Sequence, residues 1–218
     1  MGTTKNGLLK GISGQVGPVQ VCDGEGVSIV KIMPKASTKP PKQSQLDQRA
    51  IFKTVIKFVT QIQKILDIGY QSYVGAVKPL NAAMSYHLKN AVTGIAPDKK
   101  LDFTKVQISK RSGLEEDHTA AAVPAAGNLI NLTWDPSEDF DKVEQLERNL
   151  DHGMLLVYSE TKGLSYTNLG GPTRSEAAYS ARLPRVFIGD KVHCYFFFAS
   201  IDGKVSNSQY LGAMVVLA

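Results

Sequence analysis

The most regular pattern of apolar and polar positions lies between Ser44 and Tyr70. Apolar residues recur there at spacings of three and four, which is typical of a helix that packs one face on a core. These residues are Ile51, Phe52, Val55, Ile56, Val59, Ile62, Ile65 and Leu66. Ser44 can cap the first turn with Asp47 in the capping-box position, and Gly69 can end the helix. The pattern predicts a main helix over residues 44–69.

A second helical pattern follows over residues 80–92, with Gly94 as its stop. The apolar positions on one face are Leu80, Met84, Leu88 and Ala91. The short link between the two helices predicts a helical hairpin. Together with the Pro- and Lys-rich connector that precedes them, the helices define a predicted helical unit over residues 34–100.

Residues 1–33 are rich in glycine and contain two short β-prone pieces. The sequence Asp23-Gly24-Glu25-Gly26 between them is a good hairpin connection. We therefore predict a β-hairpin arm over residues 1–33. Its candidate assembly segment consists of Val19, Val21, Val27, Ile29 and Ile32.

From Leu101 onward the apolar pattern changes to a period of two, which is typical of strands. Residues 101–109 form a candidate strand with room for a bulge near Thr104, and residues 120–126 are expected to be a small-residue linker. The later candidate strands contain residues 130–134, 154–159, 164–169, 178–183, 191–201 and 210–217. About seven short strands at this spacing favour an antiparallel β-sandwich over residues 101–218, Ig- or fibronectin-III-like. The predicted class is α+β.

Two details refine the predicted sandwich. Residues 191–201 carry apolar side chains on both faces, so this strand is expected to be central, with Trp134, Tyr158, Phe196 and Phe198 in the core. Val192, Cys194, Phe196 and Phe198 share one face, and Tyr195, Phe197 and Ile201 fill the other. Residues 135–151 form an acidic insert, in which Phe140, Val143, Leu146 and Leu150 suggest a short helix.

The net charge of +5 hides an asymmetry between the two halves of the chain. Residues 1–114 contain 17 Lys and Arg against six Asp and Glu, a formal charge of +11. Residues 115–218 contain eight basic and 14 acidic residues, a formal charge of −6. The basic half, residues 1–114, either binds a polyanion or contacts the acidic half, residues 115–218, of a neighbouring copy. We call these halves the front and the back of the chain.

Cations also concentrate on the main helix, where Arg49, Lys53, Lys57 and Lys64 fall within about 80° of one another. This predicted interaction surface has three interpretations. It is a solvated helix face, a protein–protein or self-assembly surface, or a nucleic-acid contact that neutralises phosphates. No helix-turn-helix, RNP or zinc pattern accompanies it.

Catalytic chemistry is not visible in the sequence. His87, His118, His152 and His193 have no metal-ligand spacing, Cys22 and Cys194 are expected to be reduced thiols, and no nucleophile motif occurs. The carboxylates at Asp135, Glu138, Asp139 and Asp141 lack the EF-hand spacing. We therefore predict a non-enzymatic protein with no catalytic, cofactor-binding or metal-binding residues and no cofactor.

Targeting signals are equally scarce. The N-terminus has no apolar signal-peptide region, and no apolar run is long enough to cross a membrane. This predicts no membrane partner and synthesis in the cytoplasm, with release in a particle or by a non-Sec route left open.

Four stretches resemble a known family. They are NGLLKGISGQVGPV, KPPKQSQLDQRAIF, LNAAMSYHLKNAVTG and SNSQYLGAMVV, and their order along the chain matches as well. The chain is similar in these motifs to an uncharacterised family of roughly 200-residue proteins from Bacteroidota. The resemblance implies a helical N-terminal half and an Ig-like C-terminal half, and it implies no catalytic residues.

The functional hypothesis rests on three features of the sequence. The two halves of the chain have opposite charge, the N-terminal β segment can join another sheet, and no catalytic motif is visible. It is a structural protein that self-assembles as a homo-oligomer or polymer, such as a subunit of a filament, tube or virion-type particle. The alternative is a nucleic-acid-binding accessory protein that uses the basic helix face. A plain adhesion or carbohydrate-binding sandwich is a third hypothesis, although the usual aromatic platform is not evident.

Overall fold

The computed structural model describes most of the chain, in nine stretches. These are residues 2–4, 13–24, 27–33, 35, 39–73, 78–94, 99–110, 119–135 and 146–218. The chain divides into two compact units, residues 1–42 and residues 43–218. Helices and antiparallel sheets are both present, which confirms the α+β class.

The first unit contains one four-stranded antiparallel sheet. Its strands are β1 (Gly2–Thr4), β2 (Gly14–Val16), β3 (Val19–Gly24) and β4 (Val27–Ile32). Their order is β1-β4-β3-β2. The predicted hairpin is confirmed, since β3 pairs with β4 from Val19↔Ile32 to Gly24↔Val27. The two edge strands have only three residues each.

Three helices open the second unit. They are α1 (Gln43–Gln61), α2 (Gln63–Gly69) and α3 (Pro79–Asn90). The predicted main helix is therefore two helices, because Ile62 leaves helical geometry at φ −106° and ψ 16°. Ile62, Ile65 and Leu66 all stay buried at this break. The second predicted helix is confirmed, beginning at Pro79, whose ring suits a first helical position.

The predicted cap at Ser44 is wrong. Helix α1 begins at Gln43, so Ser44 is its second residue. Asp47 does not close a capping box, and its Oδ1 instead accepts a hydrogen bond of 2.9 Å from Nε2 of Gln43. The helix gains a side-chain pair at a spacing of four residues in place of the expected cap.

The predicted strand over residues 101–109 is also wrong. Only a two-residue pairing forms, between β5 (Val92–Thr93) and β6 (Lys100–Leu101), and a 3₁₀ turn follows at Phe103–Lys105. Asp102 explains the turn, because its Oδ1 accepts hydrogen bonds from N and Oγ1 of Thr104, at 3.1 and 2.6 Å. Such local side-chain bonds compete with strand pairing. The apolar residues change from odd to even positions near Thr104. This change marks the 3₁₀ turn and not a β-bulge.

Seven strands form the predicted sandwich. They are β7 (Ala120–Ala125), β8 (Leu129–Trp134), β9 (His152–Ser159), β10 (Leu164–Asn168), β11 (Ala178–Arg182), β12 (Lys191–Ala199) and β13 (Gln209–Val215). One sheet has the order β10-β9-β12-β13 and the other β11-β8-β7. The expected linker at residues 120–126 is thus mostly a strand. Its alternating small residues give a weak pattern, and its pairing with β8 makes it a strand.

The four-stranded sheet is covered on both faces. One face packs against the three-stranded sheet, and the opposite face packs against the helices. Strand β12 is central as predicted, with Phe196 and Phe198 on the sandwich side and Tyr195 and Phe197 on the helix side. Ile201 was expected to fill the helix side, but it lies in the turn after β12 and is exposed.

Because the helices and the sheets share this core, residues 43–218 form one unit with three layers. Helices α1, α2 and α3, which the sequence pattern assigned to a helical unit over residues 34–100, supply one of those layers. The middle of the acidic insert, residues 136–145, lies outside the described residues, as do Phe140 and Val143 of the predicted short helix. Leu146 and Leu150 are both exposed.

Candidate functional site

A groove with a basic rim lies between α1 and the turn that joins β9 to β10. Its volume is about 480 Å³. The described residues that line it are Lys53, Thr54, Lys57, Phe58, Lys99, Lys100, Leu101, Phe103, Tyr158, Glu160, Thr161, Lys162 and Gly163. We call this the basic groove. Its five lysines come from three separate stretches of sequence, which the fold brings to one place.

Four of these lysines have no ion-pair partner in the part of the chain that the structure describes. Lys53, Lys57, Lys99 and Lys100 are exposed, and none of them is within ion-pair distance of a carboxylate among the described residues. The fifth, Lys162, is held at the rim by Asp190 Oδ1 at 3.0 Å and the Val186 carbonyl oxygen at 2.5 Å. Counted over the described residues, the rim therefore carries an excess of positive charge, which attracts anions.

The floor of the groove is aromatic and fixed. Phe58 and Tyr158 are buried and meet edge to face, with ring centroids 4.9 Å apart, and Phe103 lies 5.6 Å from Tyr158. Burial raises the pKa of Tyr158, so its hydroxyl stays neutral at physiological pH. The floor contributes shape and apolar surface, while the rim contributes charge.

One titratable cluster lies beside the groove. His193 stacks on Phe103 with centroids 4.2 Å apart, and its Nδ1 lies 2.9 Å from the Tyr210 hydroxyl. Its Nε2 is 3.6 Å from a carboxylate oxygen of Glu160, the acidic residue among the described lining residues. Burial lowers the pKa of His193 more than Glu160 raises it, so the ring is neutral at pH 7.

The structure places the four cations of the predicted interaction surface at more than one location. All four cations are exposed, but only Lys53 and Lys57 line the basic groove. Arg49 lines a neighbouring groove of about 510 Å³ on α1 and α3, and Lys64 lies beyond the break at Ile62. Phe52, predicted to face the core, is 52% exposed and lines the same neighbouring groove. The pair Lys99-Lys100 was visible in the sequence, but no motif linked it to α1.

The predicted assembly segment lies on both faces of the first unit's sheet. Side chains opposite each other in paired strands share a face. The pairings Val16↔Val19 and Val19↔Ile32 therefore place these three residues in one row across β2, β3 and β4, and Val21 shares their face. Ile29 belongs to the other face, and for Val27 the structure describes the backbone pairing with Gly24. We call Val16, Val19 and Ile32 the apolar row.

Both ends of the apolar row are open to solvent. Val16 is 68% exposed and Ile32 is 77% exposed, whereas Val19 between them is partly buried. Strand β2 lies at the edge of the sheet, and all three of its residues are exposed. An edge strand beside exposed apolar side chains is a surface on which another sheet can pair.

Within the described stretches no three His, Cys, Asp or Glu residues are grouped to hold a metal ion. Cys22 and Cys194 are both free thiols, and burial raises the pKa of Cys194 to about 12. His118, Glu138, Asp139 and Asp141 lie outside the described residues. No described helix is long and apolar enough to cross a membrane.

The arrangement of helices, sandwich and N-terminal sheet can be compared with known proteins. Residues 11–212 match DUF6266, a family of unknown function. The chain belongs to this family. The uncharacterised family that the sequence motifs indicated is thereby confirmed, since the match spans nearly the whole chain and DUF6266 has no assigned activity. No curated protein and no solved structure matches this DUF6266 chain.

Proposed function

We propose that this protein is a structural protein that self-assembles through its N-terminal β segment, as a subunit of a filament, tube or virion-type particle. The observation that carries the proposal is the apolar row beside the open edge strand β2. Exposed apolar side chains gain free energy when another surface covers them. An edge strand gains hydrogen bonds when another strand pairs with it.

The geometry of the first unit supports this mode of assembly. Its sheet has four strands, but the edge strands β1 and β2 contain only three residues each. Each edge strand therefore forms few hydrogen bonds with the strand beside it. Sheets gain independent stability from an apolar face or from packing against another element. Pairing of a neighbouring copy with β2 would lengthen the sheet, and packing of that copy across the apolar row would cover Val16 and Ile32.

The charge distribution supports a head-to-tail arrangement of copies. Residues 1–114 carry a formal charge of +11 and residues 115–218 carry −6. Front-to-back contacts are then attractive and front-to-front contacts are repulsive. A contact between two different surfaces is heterologous, and repeated heterologous contacts close into rings or continue as helical filaments.

The experiment replaces the ends of the apolar row. Val16→Lys and Ile32→Lys place ammonium groups where the neighbouring copy would pack, so we expect the assembled species to shift to the monomer. Val123→Lys and Ile201→Lys are matched controls, because these residues are 61% and 73% exposed elsewhere in the chain. All variants add one positive charge, and light scattering reports their size. Equal assembly of row variants and controls would exclude the apolar row as the contact.

A further inference from the structure

The basic groove contains no residue of the apolar row, and its features point to a different ligand. We propose that it binds single-stranded nucleic acid, with the lysines of the rim on the phosphates and Phe52 stacked on a base. The inference goes beyond the proposed function and does not depend on it.

The first argument is the number and freedom of the cations. Lys53 and Lys57 lie one turn apart on α1, and Lys99 and Lys100 lie at β6 on the same groove. Like charges that are brought together repel one another unless an anion intervenes. The four ammonium groups have no carboxylate partner in the described part of the chain, so a row of phosphates would supply the missing counter-charge.

The second argument is the exposed aromatic ring next to the cations. Phe52 directly precedes Lys53, and Lys53 lines both the basic groove and the neighbouring groove that contains Phe52, Arg49 and Leu88. The two grooves are therefore adjacent. A basic groove with an accessible aromatic side chain is the usual combination in proteins that bind single strands, where bases stack on the ring.

Shape distinguishes a single strand from other polyanions. The cations surround a concave groove, and a flexible strand can enter it while a rigid duplex meets only the rim. Acidic peptides share the negative charge of the strand, but they do not supply flat bases for Phe52. Because no base-reading motif lines the groove, binding should depend little on sequence.

The test measures anisotropy of a labelled single-stranded oligonucleotide of about 16 nucleotides against the full chain. Four neutralised phosphates predict a slope of about −3 in log K against log salt concentration, since each contributes about −0.7. Lys53→Gln/Lys57→Gln should weaken binding at least tenfold and reduce the slope to about half. The control Lys64→Gln/Lys89→Gln removes two exposed helical lysines that do not line the groove and should bind like the wild type.

Phe52→Ala separates stacking from charge. We expect it to weaken binding about tenfold while the salt slope stays unchanged, because stacking neutralises no phosphate. Unlabelled duplex, polyglutamate and inorganic polyphosphate are added as competitors. Competition by polyglutamate or duplex as strong as by the single strand would overturn the proposal. The proposal would also be overturned if Phe52→Ala kept the wild-type affinity and polyphosphate competed as strongly as the single strand. The groove would then be a site for phosphate alone. No binding at low salt would exclude the proposal outright.

Discussion

The ring of Phe196 occupies the space where a side chain at Gly153 would lie. A Cβ atom on Gly153 would come within 2.7 Å of Cζ of Phe196 and 2.8 Å of Cε2. The ring cannot easily move, because it stacks on Trp134 at 5.3 Å and meets Phe198 edge to face at 5.0 Å. Glycine at position 153 is therefore a packing requirement of the sandwich core.

This contact predicts that Gly153→Ala destabilises the fold by about 1–3 kcal/mol, the usual cost of overpacking a core. Phe196→Leu alone should also cost stability, but together with Gly153→Ala it should cost less than the sum of the two single changes, because the shorter side chain frees the space. Gly170→Ala is the control, since a Cβ there meets nothing within 4 Å and should leave stability nearly unchanged. Urea unfolding of Gly153→Ala, Phe196→Leu, the double variant and Gly170→Ala measures the coupling, and additive effects of the two core changes would contradict the contact.

The aromatic cluster around Trp134 makes a second prediction. Truncation of Phe196 or Phe198 to Ala should cost about 3–5 kcal/mol, because both rings are fully buried. Phe52→Ala removes an exposed ring and should cost far less. Trp134 is the single tryptophan and is buried, so its emission should be blue-shifted and should report the unfolding of the sandwich. A red-shifted native emission would contradict its position.

Arg174 and Asp151 form a buried ion pair whose loss should change both the stability of the fold and the pKa of Asp151. Arg174 Nη2 lies 3.7 Å from Asp151 Oδ2, and the guanidinium also stacks 4.1 Å above Phe198. Arg174→Met leaves a carboxylate buried without this partner, which typically costs about 3–5 kcal/mol. Burial already raises the pKa of Asp151, and loss of the Arg174 charge raises it further.

The pH dependence of Arg174→Met checks this account. A carboxyl group with a raised pKa in the fold binds its proton more tightly there than in the unfolded chain. The stability deficit of the variant should therefore shrink as the pH falls from 7 to 5. Asp151→Asn in the same chain should remove that pH dependence, and a deficit that is constant with pH would contradict the buried charge.

His87 predicts an opposite response in the wild-type chain. It is fully buried, its Nδ1 lies 2.7 Å from the Ala83 carbonyl oxygen, and its Nε2 has no hydrogen-bond partner in the described structure. Burial lowers the pKa of His87 below its unfolded value. The unfolded chain then binds the proton more readily, so stability should fall as the pH drops below about 6.5.

The variant His87→Phe isolates this contribution. It keeps a ring between Phe58 and Tyr86, which lie 5.9 and 5.6 Å from His87, but it cannot be protonated. The urea midpoint of the variant should depend less on pH between 7.5 and 5 than that of the wild type. Equal pH dependence of the two chains would assign the effect to other groups, His193 among them.

Local pattern predicted much of this fold. The periodicity of β12 identified a central strand, because apolar side chains on both faces require two covering layers. The hairpin of β3 and β4 and the helix α3 also followed from nearby residues. Elements whose form depends on one side chain or one distant partner were missed. Asp102 redirects a candidate strand into a 3₁₀ turn, and β7 consists of small residues that pairing with β8 makes into a strand.

Gly69 shows why a correct boundary can have an unforeseen cause. It was expected to end the helix through backbone freedom, and α2 does end there. The residue that requires glycine here is distant in the sequence. A Cβ atom at position 69 would come within 2.1 Å of the carbonyl oxygen of Ile108. The basic groove is similar, since its lysines come from stretches 40 and more residues apart that only the packing of α1 on the sheet brings together.

Assembly through the apolar row is the central claim, and sedimentation velocity of the unmodified chain tests it most directly. Sedimentation is followed over a dilution series at low and high salt. We predict a species much larger than the 23.7 kDa chain, which dissociates on dilution and, because of the charged halves, at high salt. A single 23.7 kDa species at every concentration and both salt levels would contradict the account.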